Sequence, residues 1–229
     1  MDKRMEQTTT VNYVVIPMKD RADLTRPLLR DLKKQGNYEK IFIFDNGSAR
    51  PTRKWLSTQQ TATVVDAKGW NIHEMWNRGL DLAGEGNIAL LNNDIKIGPN
   101  FLKGLATGLR SDSKLDVVCP NYDGREGEGI CYVNQIAANL RDGAGGLAGF
   151  AFMMRGEWGY RFPEELKWWY GDNHMVAHAR HAGIVLNTTV EHRLGGSLTA
   201  GDWNSPYWKP ILLADGVWWQ AWVKDQVAQ

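Results

Sequence analysis

Leu90-Leu91-Asn92-Asn93-Asp94-Ile95 is the stretch on which the reading of this chain turns. An apolar run from Ile88 to Leu91 stops abruptly on three polar residues, and the apolar Ile95 and Ile97 follow. Strands of open α/β sheets present ligand-binding groups at their carboxyl ends. Carboxylate and carbonyl oxygens suit Mg2+ and Mn2+, which commonly bridge to substrate phosphates. A turn accounts for the same three residues, since Asn and Asp hydrogen-bond their own backbone there. The neighbouring segments decide between the two.

Upstream, Val11 to Pro17 is a short β-branched run that reads as a buried strand. Arg21 to Gln35 carries Leu24, Leu28, Leu29 and Leu32 at helical spacing and stops at Gly36. Lys40 to Phe44 is a second strand, Arg50 to Gln60 a helix, and Thr63 to Val65 a third strand. Gly69 to Ala83 reads as a loop entering a helix, and Asn87 to Leu91 as the strand that reaches Asn-Asn-Asp. This alternation predicts βαβ units and a mostly parallel sheet. No GxGxxG or Walker A pattern supports a dinucleotide or P-loop site.

The second half is less regular. Phe101 to Leu109 reads as a helix, Asp116 to Pro120 as a strand, and Gly124 to Gly129 as a mobile loop. The glycine-rich Gly143 to Gly149 precedes a strand over Phe150 to Met154. Asp172 to Gly183 is predicted as one helix bearing His174, His178 and His181, with a short strand at Ile184 to Leu186. His192 opens a glycine-rich loop to Gly201, and a Trp-rich tail closes the chain.

At 229 residues, the chain suits one large α/β domain, or one domain with an appended element. A net charge of +1 argues against a global nucleic-acid surface and leaves a local phosphate pocket open. Two cysteines, Cys119 and Cys131, are too few for a disulfide framework or a zinc site, which fits a reducing, cytoplasmic setting. The first ten residues lack the apolar core of a signal peptide, and no apolar run approaches the ~20 residues that span a bilayer. A soluble protein without an integral membrane segment is expected. Eleven tryptophans concentrate late in the chain. Core filling explains some of them. Trp168-Trp169-Tyr170 and Trp203 lie among Gly, Asp and Asn, where flat indole faces could pack on sugar rings.

Several polar residues have two readings. Asp45 ends a strand ahead of Asn46-Gly47-Ser48, as a turn carboxylate or as an acceptor from a nucleobase or ribose. Asp172 follows Trp168-Trp169-Tyr170-Gly171, as a helix N-cap, as a general base shielded by aromatics, or as both. His174 and His178 have metal-ligand spacing but no HExxH pattern, so partner contacts or solvent exposure are expected of them. His192, at a strand end, is the better candidate for a metal or phosphate ligand.

Taken in order, these segments resemble the family-2 type of GT-A glycosyltransferases, which use nucleotide-sugar donors. VNYVVIPMKDR and IFIFDNGS are similar to the family's first two strands, and GWNIHEMWNRGL to the segment whose last Asn approaches the nucleotide. LLNNDIKIGPNFL is similar to the strand carrying the metal-binding DxD motif, in the NxD form of rhamnosyltransferase-like members. GGLAGFAFMMRGEW, WWYGDNHMVAHARHAG and VEHRLGGS are similar to the acceptor-side strand, the start of the base-bearing helix and the late His segment. Each motif alone is weak; seven collinear motifs over residues 11 to 200 are specific.

The resemblance implies a GT-A (Rossmann-like) α/β fold with a mixed, mostly parallel sheet flanked by helices. Residues 1–97 would form the nucleotide-sugar half, 98–200 the acceptor half, and 201–229 a Trp-rich helical extension. Pro17, Lys19, Arg21, Asp45 and Asn77 would line the donor pocket, with Asn92 and Asn93 at the ribose and diphosphate. Asp94 and His192 would hold Mn2+ or Mg2+, and Asp172 would be the catalytic base. Gly149, Trp168, Trp169 and Tyr170 would face the acceptor. The family pattern has a carboxylate at 92, Asp at 46, Gly at 71 and Glu at 171, where this chain has Asn92, Asn46, Asn71 and Gly171. The implied activity is inverting transfer of a hexose from a UDP- or dTDP-sugar to a hydroxyl of a glycan or a protein side chain. Two other readings stand beside it. One is a catalytically idle nucleotide-sugar-binding protein on the same fold, favoured by Asn92 and the tryptophans. The other is a nucleotidyltransferase, disfavoured because Pro17-Met18-Lys19-Asp20 holds no glycine.

Overall fold

The computed structural model describes residues 11–133, 146–193 and 204–227. The Gly195-Gly196-Ser197 run, Trp203, the first ten residues and part of the Gly143 to Gly149 stretch lie outside them. In chain order the first half runs β1 (Val11–Met18), α1 (Ala22–Gln35), β2 (Tyr38–Asp45), α2 (Arg50–Leu56), β3 (Thr63–Asp66), α3 (Ile72–Ala83) and β4 (Ile88–Leu91). The second half runs β5 (Ile95–Ile97), α4 (Phe101–Ser111), β6 (Leu115–Asn121), β7 (Ile130–Tyr132), β8 (Ala151–Met154), α5 (Gly171–His178), β9 (His181–His192) and α6 (Trp208–Val227), with a 3-10 turn at Gly156–Trp158.

The strands lie in the order β3-β2-β1-β4-β8-β6-β9-β5, and β7 adds to β9. The first four are parallel. β8 runs antiparallel between β4 and β6, and β9 is again parallel to β6. The fold is therefore a mixed, mostly parallel α/β sheet flanked by helices, with the Trp-rich helix appended. Alternation within β1 and β2 divides the core in two. Val14, Ile16, Ile41 and Ile43 pack with α1 and α4, while Val15, Phe42 and Phe44 pack with α3 and α5. Burial on both faces explains why these strands read as unbroken apolar runs.

Local signals set the crossover helices. α1 buries Leu24, Leu28, Leu29 and Leu32, and stops where the Gly36 N–H donates to the Leu32 carbonyl. α3 opens with a capping box: the Glu74 N–H donates to Asn71 Oδ1 and the Asn71 N–H to the Glu74 carboxylate.

Four expectations need correction. The helix predicted over Asp172 to Gly183 ends at His178, because the next residues answer to a distant carboxylate. Asp116, fully buried on β6, accepts from the Arg180 backbone N–H at 2.7 Å and pairs with its guanidinium, which holds the chain extended. His181 thus begins β9, and the short strand predicted at Ile184 to Leu186 is the middle of a 12-residue one. Asp172 is not the N-cap of α5; Tyr170 occupies that position in a left-handed conformation (φ +63°). The helix predicted to Gln60 stops at Leu56.

β9 is held by a close helix approach. Gly104 and Gly108 of α4 face Thr188 and Val185; a Cβ at Gly108 would stand 2.5 Å from a Val185 methyl. At the far end, α6 docks on α5, with Trp219 and Val223 buried and Tyr170 stacked on Trp219. No helix among the described residues is long and apolar enough to cross a membrane. Overpacking the α4–β9 contact has a defined expectation: Gly108→Val should destabilise the fold by about 1–3 kcal/mol. Urea unfolding should show a lower midpoint at unchanged m-value.

Candidate active site

The carboxyl ends of β1, β2 and β4 open onto one cleft with two connected cavities. The first is lined from the sheet by Pro17, Met18, Lys19, Asn46, Asn92 and Asn93. Trp70 and Asn71 flank it, and Lys167, Trp168 and the α6 residues Tyr207, Trp208 and Ile211 also line it. The second, of about 530 Å3, takes in Gly149, Asp172 and His192 together with Trp169 and Tyr170. That size suits a small-ligand site. Ile72, Asn92 and Trp168 border both cavities. Of the Asn-Asn-Asp stretch, Asn92 lies where the cavities meet, Asn93 lines the first, and Asp94 lines neither.

Strand pairing brings Asp94 to His192. Ile95 of β5 sits opposite His192 of β9, and the Arg193 N–H donates to the Asp94 carbonyl at 3.1 Å. His192 Nε2 stands 3.3 Å from Asp94 Oδ1, with the Asp94 side chain 2% exposed and His192 24%. The imidazole stacks on Phe150 at 4.2 Å, and the Phe150 carbonyl accepts from the Asn92 N–H at 2.8 Å. Asn93 is buried, and its amide donates to Thr25 Oγ1 at 3.2 Å. A carboxylate beside an imidazole suits a divalent cation whose remaining positions are filled by water and phosphate oxygens. Among the described residues, no group of three or more His, Cys, Asp or Glu gathers for this purpose. Among the described residues, Asp94 and His192 could supply two ligands to such an ion.

Asp172 lies in the first turn of α5, at the second cavity. Burial pushes its carboxyl above the ordinary range, against the Asn173 N–H that donates to Oδ1 at 3.0 Å. Two glycines make room for this arrangement. A Cβ on Gly149 would come within 2.8 Å of the Asp172 carboxyl carbon, and one on Gly171 would run into the His73 ring. His73 is buried and stacked on Phe162, its Nδ1 is 2.8 Å from the Leu166 carbonyl, and burial lowers its pKa to about 4. It is a neutral strut at the neck of the loop that leads to Asp172.

The remaining predicted residues divide. Pro17 and Lys19 line the first cavity. Arg21, left-handed before α1, pairs with Asp23, its strongest influence, and also feels the charge of Asp94. Asp45 takes the turn role: it is buried, its Oδ1 accepts from the Ser48 N–H at 2.9 Å, and its neighbour Asn46 lines the cavity instead. Asn77 lines neither cavity. Both ends of its amide are engaged by the Phe162 backbone, at 2.9 and 2.8 Å, so it braces the wall from behind. His174 is buried, packs against Trp222 and faces the Tyr160 hydroxyl at 2.8 Å, whereas His178, beside the same indole, is exposed to solvent. Sequence reasoning missed Lys167, Trp208 and Asp215. Asp215 is buried on α6, and its carboxylate accepts from the backbone N–H groups of Lys167, Trp168 and Trp169. Its only local signal was an acid inside an apolar helix.

Comparison with known proteins places this architecture. Many solved structures share the fold, and three of them illustrate it. GalNAc-T7 with UDP, GalNAc and Mn2+ matches 82% of this chain and 44% of its own, at 14% identity and a TM-score of 0.61. S. aureus TarS 1-349 matches 80% and 60%, at 17% identity and 0.59. The mannosyltransferase PcManGT from Pyrobaculum calidifontis, with GDP-Man and Mn2+, matches 81% and 58%, at 16% identity and 0.58. The chain thus spans less than two-thirds of the length of each of these structures. No curated protein sequence matches it. The family described as "Glycosyl transferase family 2" matches residues 13–183, well over half of the chain, and the chain belongs to that family.

Proposed function

We propose that this protein transfers a hexose from a nucleoside diphosphate sugar to an acceptor hydroxyl, with inversion at C1 and a divalent cation as cofactor. The observation that carries the reading is the meeting of Asn92, His192 and Asp172 around one cavity, with Asp94 beside His192. Family membership supports it, as do the UDP, UDP-GlcNAc and GDP-Man complexes of structural neighbours. UDP- and dTDP-sugars are the donors we favour. Glycan or protein hydroxyls are the favoured acceptors, given the Trp168-Trp169-Tyr170 wall. Asn92 in place of a carboxylate fits the rhamnosyltransferase-like NxD subtype. The family match stops at residue 183, and we assign 201–229 to an appended helical element. The free thiols of Cys119 and Cys131 suit a cytosolic setting.

The chemistry follows from where charge develops. Breaking the bond between C1 and the phosphate oxygen leaves negative charge on the diphosphate and positive charge on the sugar ring, as in glycoside hydrolysis. A cation held by Asp94 and His192 would neutralise the leaving group. Asn92, Asn93 and Lys19 hold and orient the donor in the first cavity. Asp172, across the second cavity, takes the proton from the attacking hydroxyl. Its raised pKa makes it a stronger base than an exposed carboxylate, and the aromatic walls exclude water.

Asn92 also favours a second reading, a binding protein that releases no nucleoside diphosphate; incubation with donor sugars separates the two. Asp172→Asn should keep donor affinity and lose transfer by about 10²–10⁴-fold. Turnover of the wild type should fall on the acid side, with a limb above the ordinary carboxylate pKa of about 4. The same shift acts on stability. The folded chain holds this proton more tightly than the unfolded chain, so stability declines as pH rises between the two pKa values. Asp172→Asn should therefore raise the thermal midpoint at pH 7, and the gain should vanish below pH of about 4. For the cofactor, a thermal-shift panel of nucleoside diphosphates should show midpoints that rise further with Mn2+. That increment should disappear in Asp94→Asn and His192→Ala and on chelation. An equal shift in the wild type with and without Mn2+ contradicts the metal assignment.

A further inference from the structure

The α6 helix carries one buried acid that the proposed chemistry does not use. Asp215 is 1% exposed, and its carboxylate is held by backbone donors. Oδ1 accepts from the Lys167 N–H at 3.0 Å, and Oδ2 from the Trp168 and Trp169 N–H groups at 2.8 and 2.9 Å. Three consecutive backbone donors on one carboxylate form an anion nest supplied from within the chain. Such charge-assisted bonds are roughly twice as strong as neutral ones. A buried carboxylate is costly unless so satisfied, and the cost is accepted here for a loop rather than for a core.

The same helix grips that loop side chain by side chain. Trp208 packs against Trp168 at 4.7 Å and edge-on to Trp169 at 5.9 Å, and Tyr170 stacks on Trp219 at 5.5 Å with planes 6° apart. Tyr170 sits at φ +63°, a conformation that a bulky residue holds only when its surroundings impose it. Gly171 and Asp172 follow directly. The loop's other edge, Lys167 and Trp168, lines the first cavity beside Trp208 and Ile211. One helix therefore sets both the wall beside the donor and the start of the turn that aims Asp172.

We infer that Asp215 is a positioning residue. By binding the backbone of Lys167, Trp168 and Trp169, it fixes the loop that presents Asp172 to the second cavity, and it makes α6 an integral part of the site. The inference rests on the transferase reading for its kinetic consequence and on geometry alone for its structural one.

The test uses the whole chain with Asp215→Asn, which keeps the volume and one carbonyl acceptor but turns an amide N–H2 toward backbone donors. Amide hydrogen exchange of the 167–169 segment is read first, without substrate. In the wild type these amides should be protected well beyond an exposed loop, since exchange reports local opening. In Asp215→Asn their exchange should accelerate tenfold or more, while amides of the β1 and β4 strands are unchanged. Transfer should then show kcat lowered tenfold or more, and Trp208→Ala, which removes a wall but leaves the nest, should raise the donor KM more than it lowers kcat. Unprotected 167–169 amides in the wild type overturn the inference even if the variant fails to fold. A folded Asp215→Asn with unchanged exchange, or with accelerated exchange and kcat within twofold of the wild type, overturns it as well. If no nucleotide sugar is turned over by the wild type, the transferase reading falls, and the nest stands or falls on exchange alone.

Discussion

The rung between Ile95 and His192 is the contact on which the site depends. β5 is only three residues long, and it runs antiparallel to β9 at the edge of the main strand order. That short pairing puts Asp94, just before β5, against the last residue of β9. Neither residue has a local reason to meet the other. What holds the rung is remote: β9 is aligned by β6, clamped by the glycine face of α4 and closed by the stack of His192 on Phe150. The Phe150 carbonyl then fixes Asn92. The proposed metal pair and the donor-side amide are thus parts of one hydrogen-bonded corner.

Two kinds of chemistry meet there. The parallel half of the sheet supplies polar and basic groups at strand ends, Lys19, Asn46, Asn92 and Asn93, which line the cavity proposed for the donor. The later half supplies the acid, the imidazole and the aromatic wall. Burial raises the Asp172 pKa, and in the proposed reaction that would serve a general base. Glycine at 149 leaves its carboxylate the space, and a side chain there would displace it. The neutral His73 and the Asn77 brace hold the surrounding wall.

The alternating half of the molecule was legible because its signals are local. β-branched runs, leucines at helical spacing and Gly36 act within a few residues, and they predicted β1 to β4 and their crossovers. The abrupt stop at Asn92 marked the edge of the sheet for the same reason. The misread parts answer to distant partners. His181 looked helical beside His174 and His178, but Asp116 on β6 captures Arg180 and straightens the chain. Asp172 looked like a cap, yet Tyr170 takes that position because α6 stacks against it. Asn77 matched a family position for the nucleotide, and its amide is spent on Phe162 instead. Nothing in the composition of the Trp-rich tail said that Trp208 would wall the cleft or that Asp215 would reach the loop before Asp172.

The most direct measurement is a crystal structure with Mn2+ and an intact, slowly reacting nucleoside diphosphate sugar. The account predicts an anomalous Mn2+ peak bonded to the Asp94 carboxylate, His192 Nε2 and the diphosphate, with the anomeric carbon turned toward Asp172. A nucleotide bound away from Asn92, or a sugar whose anomeric carbon faces away from Asp172 while Asp94 and His192 stay metal-free, contradicts it.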